Sequence, residues 1–438
     1  MIPILSTAQM RAADALAVAK VGTDALVAAA GTAVALEAQS MLGSCYGSRV
    51  AVLVGPGLNG ADGRVAATWL RSRGATVDVV EVANQPQELR GYALVLDAAF
   101  GLGCSRPYVA PRVAVGTLVL AVDLPSGVDS DTGELLGAPL SADVTLALGA
   151  LKPAHVTGPA AAVCGHLRYA GLGIVQRFDD GLMEDSDLGV LIQRETTDHK
   201  WTHAIQVLAG STLMPGAADL VVRGALAAGA SMIRLASRGD VAESVDLPAE
   251  VVRSESTTVE QRSRCVVAGP GLGTDSLEWL RERLGDLSMP VVLDADGLDR
   301  ALIPPATSSE ERWVLTPHEG EFVRLTGEAL PANHLDAVRS LARELDCVVL
   351  LKGATTTIAD RDGRVRIVRS GTPTLATAGS GDVLSGVIGA TIARGHDQLE
   401  AAALGAHLHG RAGASLPVYA SASDLPLAIG EIIESLEP

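Results

Sequence analysis

The chain has 438 residues, 48% of them hydrophobic but only 3% aromatic, and a net charge of -17. That length fits about two or three domains, whose cores must be built from Ala, Val and Leu. The charge argues against nucleic acid or an anionic membrane as the main partner, but leaves a phosphorylated small molecule open, because backbone amides bind phosphate locally.

In chain order, STAQMRAADALAVAKVGTDALVAAAGTAVALEAQ reads as two Ala-rich helices broken near Val21 and Gly22. RVAVLVGPG (Arg49 to Gly57) reads as a buried strand entering a glycine turn, and VAATWLRSRG as a helix ending at Gly74. TVDVVEV, YALVLDAAFG, LVLAVDLPSG and DVTLALG follow. Strand alternating with helix implies a parallel, doubly wound α/β sheet. FDDGLMEDSDLGV is acidic and poorly periodic, as a domain end and linker would be. The alternation restarts after His203 and runs through RCVVAGPGLG, PVVLDADGL, RWVLTPHEGE, CVVLLKGATTTIAD and RVRIVRSG. A helix opens at Gly381 and another spans Leu399 to Ala414. The expected division is a first domain over 1–180, a linker over 181–200 and a second α/β domain over 201–438.

Five widely spaced cysteines form no CxxC pair, so reduced thiols and no zinc site are expected. The opening MIPILSTAQMRAAD has no basic n-region, and no apolar stretch reads as a membrane span rather than a core helix. A cytoplasmic protein is expected.

In the first domain GPGLNGADG (Gly55 to Gly63) follows a strand. Glycines there let backbone approach a phosphate, or simply turn. LDAAFGLG and VDLPSGVDSDTG each place an acid at a strand's carboxyl end. Such ends share one crevice in a doubly wound sheet, so Asn59, Asp97, Asp123 and Ser126 can converge. Their oxygens suit a hard cation better than zinc.

These motifs, closed by ADVTLALGALKP, resemble the YjeF N-terminal domain, the NAD(P)H-hydrate epimerase family, over roughly Ser6 to Gly173. The resemblance implies interconversion of the R and S hydrates of nicotinamide cofactors. It implies potassium held by Asn59, Asp97 and Ser126, and a catalytic Asp123 touching the hydrated ring. It also implies substrate contacts from Asn59, Gly60, Asp62, Gly101 and Gly103, with Gly101 to Pro107 on the phosphate side. The family's loop is Asn-Asn-Gly-Gly-Asp, whereas this chain has Leu58-Asn59-Gly60-Ala61-Asp62. Two readings stay open: an active epimerase, or a non-catalytic binding or assembly module.

In the second domain ATAGSGDVLSGVIGA places glycines at the mouth of a helix. A helix start offers unpaired N–H groups and a positive dipole end. Gly379 and Gly381 leave room for a phosphate there. Asp382, in the first turn, then acts as acceptor for a hydroxyl proton during phosphoryl transfer, or else merely caps the helix. His318 is open between a structural and a ligand-facing role. Asp294 and Asp296 are open between magnesium binding and capping. His407 and His409 do not share a helical face and read as packing or surface groups.

AGPGLG, VLDADGL, LTPHEGEF, LLKGATT and ATAGSGDVLSG, in that order, resemble the ribokinase-like fold. More narrowly they resemble the ADP- or ATP-dependent NAD(P)H-hydrate dehydratases, over roughly His199 to Leu436. The resemblance implies that Lys352, Gly353, Ala354, Thr355 and Thr356, with Thr377, Gly379, Ser380 and Gly381, hold ADP or ATP. It implies that Ala217, Gly273, His318 and Asp382 face the hydrated nicotinamide, that Asp382 is the base, and that magnesium sits at the phosphates. The expected partners are hydrated NADH or NADPH and an adenine nucleotide, in a homo-oligomer. The rival reading is another ribokinase-like small-molecule kinase.

Overall fold

Ser6 opens the first helix by a capping box. Its hydroxyl accepts from Gln9 N at 3.3 Å, and its own N–H donates to Gln9 Oε1 at 2.8 Å. Helix α1 (Thr7–Val21) stops at Gly22, whose φ of 84° ends it, and α2 (Thr23–Leu42) starts directly after. The computed structural model describes residues 1–175, 177–192, 196–239, 245–254, 258–285, 287–303 and 313–436. The chain divides into two compact units, one holding Ile2–Asp180 and the other Gly181–Pro331 and Leu335–Pro438.

The first unit's sheet has the order His166–Ala170, Val144–Leu148, Leu118–Val122, Leu94–Ala98, Arg49–Val54, Thr76–Glu81, and every pair is parallel. Both faces of its inner strands are covered, so Arg49–Val54, Leu94–Ala98 and Leu118–Val122 are largely apolar without alternation. Val50, Val52 and Val54 pack on Ala30, Val34, Ala35 and Ala38 of α2, while Ala51 and Leu53 join the opposite layer with Val95 and Tyr108. Helix α2 is long and apolar enough to cross a membrane by length and composition. Its small-residue face is instead buried in this core.

One element differs from the sequence expectation. Helix α3 spans Leu58–Ser72, so it begins inside the glycine loop rather than near Val65. Gly60 is helical because the helix sits hard against the preceding turn: a methyl on it would lie 2.0 Å from the Gly55 carbonyl oxygen. Gly55, Gly60 and Gly63, which read as a turn or a phosphate approach, therefore serve close packing, and Asn59 lies in a helical first turn.

The second unit's sheet runs Asp180–Leu182, Val365–Val368, Thr356–Ala359, Val348–Leu351, Trp313–Leu315, Val291–Leu293, Cys265–Ala268, Ala204–Ser211, Met232–Arg238, Val251–Arg253. Among these strands only the two pairings around Thr356–Ala359 are antiparallel. Its helices include α4 (Pro215–Ala227), α5 (Leu277–Leu284), α6 (Glu319–Thr326), α7 (His334–Leu345), α8 (Ser380–Ala393) and α9 (Gln398–Ser415). Of these, α4, α8 and α9 supply most of the helical side of the core. Helices α4 and α8 touch backbone to backbone, since a methyl at Gly386 would lie 2.1 Å from the Val221 oxygen. The segment read as a linker is structured in part: Asp185–Ile192 is a 3-10 helix, and Met183, Leu188 and Leu191 are buried in this second core. All five cysteines are free thiols, four of them buried.

Candidate active sites

In the first unit the strand order reverses between Arg49–Val54 and Leu94–Ala98, the place where an open α/β sheet leaves a crevice. A cavity of about 470 Å³ lies there, lined by Asp14, Asn59, Asp62, Gly101, Asp123 and Lys152 among others. Asp123 ends its strand at a φ of 67°, in the region that favours glycine. Two neighbours hold it. The fully buried Lys152 ammonium pairs with its carboxylate, and His155 Nε2 meets its carbonyl oxygen at 2.7 Å. His155 Nδ1 in turn accepts from Lys152 N at 2.8 Å. Burial, and secondarily the Lys152 charge, push the His155 pKa down to about 4, so this ring is neutral. Asp62, buried and facing Asp123 and Asp14, is pushed up to about 8, chiefly by burial.

The three residues expected to hold potassium surround one short segment. Ser126 Oγ lies 2.6 Å from Asp97 Oδ1 and accepts from Phe100 N at 2.8 Å. Asn59 stands against the next residue, Gly101, where a methyl would come within 3.2 Å of its Cγ. Asp97 is wholly buried, which pushes its carboxyl pKa up, while hydrogen bonds from Ser126 Oγ, from Ser126 N at 2.8 Å and from Ala99 N at 3.4 Å act the other way. The Asn59 amide nitrogen is buried without a partner. Since amide oxygen and nitrogen can be exchanged by a flip, this partnerless amide beside the Asp97 and Ser126 oxygens fits a hard cation. Of the two departures in the loop, Leu58 lines the cavity and Ala61 does not.

In the second unit the carboxyl ends of the parallel strands bring the remaining motifs to one edge. Asp294 follows Val291–Leu293, Pro317 and His318 follow Trp313–Leu315, and Lys352 follows Val348–Leu351. Lys352 Nζ bonds Asp294 Oδ1 at 2.7 Å and lies 3.7 Å from Glu321 Oε2. Burial opposes the Lys352 charge, but Asp294, Glu321 and then Asp382 together hold its pKa above the ordinary lysine value. Asp382 stands in the first turn of α8, behind Gly379 with its φ of 88°. Burial, then Asp294, raise its pKa to about 7, with Lys352 acting the other way and Asp296 and Glu321 adding to the rise. A methyl on Gly381 would lie 3.4 Å from Lys352 Nζ, so the glycine keeps the space between helix mouth and ammonium clear.

The expected nucleotide residues form two facing stretches. Gly353, Ala354 and Thr355 make the turn of the hairpin from Val348–Leu351 into Thr356–Ala359. Gly371 approaches that turn, 3.6 Å from the Ala354 oxygen by its missing methyl, and leads into Thr377 and the α8 mouth. Ser380 is fixed there by Oγ donation to the Leu375 oxygen at 2.7 Å.

Other expected residues turn out to be engaged. Gly273 N donates to Asp296 Oδ2 at 2.8 Å. Asp294 carries no side-chain cap; its carboxylate goes to Lys352. His318 is the N-cap of α6: its Nδ1 accepts from Glu321 N at 3.2 Å, while the ring stays 60% exposed. Ala217 packs under Gly271 in the AGPGLG turn. Glu321 and His409 carry no sequence signal that singles them out for the site. Buried His409 is hydrogen-bonded to the Ser380 backbone and held neutral, its pKa pushed down to about 4 mainly by burial. Among the described residues, no three His, Cys, Asp or Glu side chains gather as metal ligands.

A mainly parallel sheet with an antiparallel run near one edge, an anion-ready helix mouth, and a lysine among carboxylates give the second unit a ribokinase-like fold. Residues 205–435 match the family model of NAD(P)H-hydrate dehydratase, and residues 23–91 and 81–154 that of YjeF-related protein N-terminus. The bifunctional NAD(P)H-hydrate repair enzyme Nnr of Mycobacterium tuberculosis (strain CDC 1551 / Oshkosh) is 36% identical over 432 residues, 90% of each chain. Its counterpart in Thermofilum pendens (strain DSM 2475 / Hrk 5) is 35% identical, over 88% of this chain and 86% of the relative. The ADP/ATP-dependent NAD(P)H-hydrate dehydratase from Bacillus subtilis, co-crystallized with ATP/Mg2+, matches with a TM-score of 0.53 and 27% identity, over 60% of this chain and all of that one. The chain belongs to the family of bifunctional NAD(P)H-hydrate repair enzymes.

Proposed function

We propose that the chain repairs hydrated NADH and NADPH, dehydrating the S hydrate in its second unit at the expense of ADP or ATP and interconverting R and S hydrates in its first. The observation that carries the dehydratase reading is Asp382, a carboxyl with a pKa of about 7 at a glycine-flanked helix mouth beside Lys352. A base is most effective when its pKa lies near the working pH.

Hydroxide is a poor leaving group, and phosphorylation of the ring hydroxyl at C6 turns it into a good one. Asp382 takes the hydroxyl proton as that oxygen attacks the terminal phosphate. The N–H groups of the first turn of α8 and the Lys352 ammonium meet the charge that develops on the transferred group. The phosphate then departs, driven by the enamine nitrogen, and the iminium so formed loses a proton from C5, which restores the dihydronicotinamide. The turn Gly353 to Thr356 and the stretch Thr377 to Gly381 hold the nucleotide. Magnesium supplies charge neutralisation at the phosphates and needs few protein ligands; the carboxylates of Asp294, Asp296 and Glu321 suit a phosphate that brings such a cation. In the first unit Asn59, Asp97 and Ser126 hold potassium, which supplies a fixed positive charge, and Asp123 contacts the hydrated ring. A homo-oligomer belongs to this reading, and sedimentation would read it.

The test is hydrated NADH with ADP or ATP, on the full chain and on Asp382→Asn. Recovery of the near-ultraviolet absorbance of reduced nicotinamide is expected from the first and not from the second, with nucleotide binding largely kept. Phosphate remaining on the product would favour the kinase reading. Leu58 in the cavity favours a second reading of the first unit, as a binding module. If the R hydrate is consumed no faster than the dehydratase alone allows, that second reading holds.

A further inference from the structure

Two cationic side chains are among the described residues lining the first unit's cavity, Arg11 and Lys152. Lys152 is fully engaged. Its ammonium pairs with Asp123 and donates to the Leu148 and Ala150 oxygens at 2.9 Å each, which uses all three of its N–H bonds. Arg11, exposed on α1, makes no ion pair or hydrogen bond among the described residues. Its guanidinium lies against the turn that follows Leu94–Ala98: a methyl on Gly103 would come within 2.7 Å of Arg11 Nη2. Gly103 has a φ of 102°, so backbone shape and missing side chain both fit the guanidinium to this turn. Asp14, Asp62 and Asp123 line the same cavity. An anionic group is repelled by these carboxyls when they are charged, and among the described lining residues Arg11 is the cation left to receive it.

We infer that Arg11 clamps the diphosphate of the hydrated dinucleotide against the Gly101 to Gly103 turn. The guanidinium fork suits two phosphate oxygens at once. With the diphosphate fixed there, the hydrated ring is directed toward Asp123. Arg11 is then a specificity-determining residue that selects dinucleotides over the bare nicotinamide riboside. This assignment rests on the epimerase reading of the first unit.

The test follows R-to-S interconversion by chromatography on the full chain, without ADP or ATP so that the dehydratase stays silent. Arg11→Gln is compared with wild type on hydrated NADH, hydrated NADPH and hydrated reduced nicotinamide riboside. The expected result is a kcat/KM lowered about tenfold or more for both dinucleotides, mainly through KM, and within about twofold of wild type for the riboside. Unchanged dinucleotide kinetics would overturn the assignment. So would an equal loss on the riboside, which would make Arg11 a fold residue, or a loss confined to NADPH, which would move the contact to the 2′-phosphate. A wild-type chain that dehydrates with ADP but interconverts nothing would remove the epimerase reading itself, and this assignment with it. That failure shows in the wild type before any variant is made.

Discussion

The folded-state pKa of Asp382, about 7, lies above the ordinary value of 3.8, so the folded chain binds this proton more tightly than the unfolded one. Stability therefore falls as pH rises from about 4 to about 7, and the full cost persists above that. Asn cannot ionise, so Asp382→Asn should raise Tm by roughly 2–8 °C at pH 8 and by less at pH 5.5. Calorimetry at the two pH values checks this, and equal shifts would mean the carboxyl is not strained. In the wild type, dehydration kcat/KM should climb with pH and level off above about pH 7, as the base deprotonates. The sequence made Asp382 and Lys352 legible because each follows a glycine-rich or strand-end signal. It did not make Lys152, His155 or Glu321 legible. Lys152 meets Asp123 across 29 positions, a pairing that only the parallel order of two crossover strands creates. Glu321 was hidden because a capping glutamate and a glutamate facing an ammonium look the same in sequence.

Helix α3 shows what local rules miss. Its glycines read as a turn, since glycine is the ordinary punctuation between strand and helix. Close contact explains them instead, of Gly60 with the Gly55 oxygen and of Gly63 with the Ala98 side chain. Gly60→Ala should therefore push α3 off the strand end and destabilise the first unit by about 3 kcal/mol or more. Hydrate interconversion should be lost while ADP-dependent dehydration of the S hydrate persists, which a paired assay would show. Loss of both activities would contradict the assignment of the two reactions to separate units. Helices α1, α2 and α9 were readable nearly to their ends. Gly22 stops the first, and Asp397 caps the last by accepting from Glu400 N at 2.9 Å, so both boundaries are set locally.

At the scale of the whole molecule, the two units predict a yield rather than a rate. A mixture of R and S hydrates treated with the full chain and ADP should return to reduced cofactor completely if both units work. It should stop at the S share if only the second does, apart from slow spontaneous exchange. The plateau of the recovered absorbance separates the two cases. The division into two α/β units was legible because strand and helix patterns alternate twice. The place of residues 181–192 was not. Their acidic surface residues mask Met183, Leu188 and Leu191, whose burial depends on a core assembled from distant helices.

The antiparallel run Val348–Leu351, Thr356–Ala359, Val365–Val368 has a bearing on how the chain is made. Parallel pairings elsewhere in the second unit require crossovers that bring distant segments together, and such long loops close slowly. This meander joins neighbours through short turns, a microsecond event for an isolated hairpin. It is the piece of the sheet best able to form early, and it holds the turn after Lys352. The nucleotide-facing turn would then take shape before the α8 mouth that opposes it, and ADP or ATP present during refolding should speed only the late step in which the two are joined.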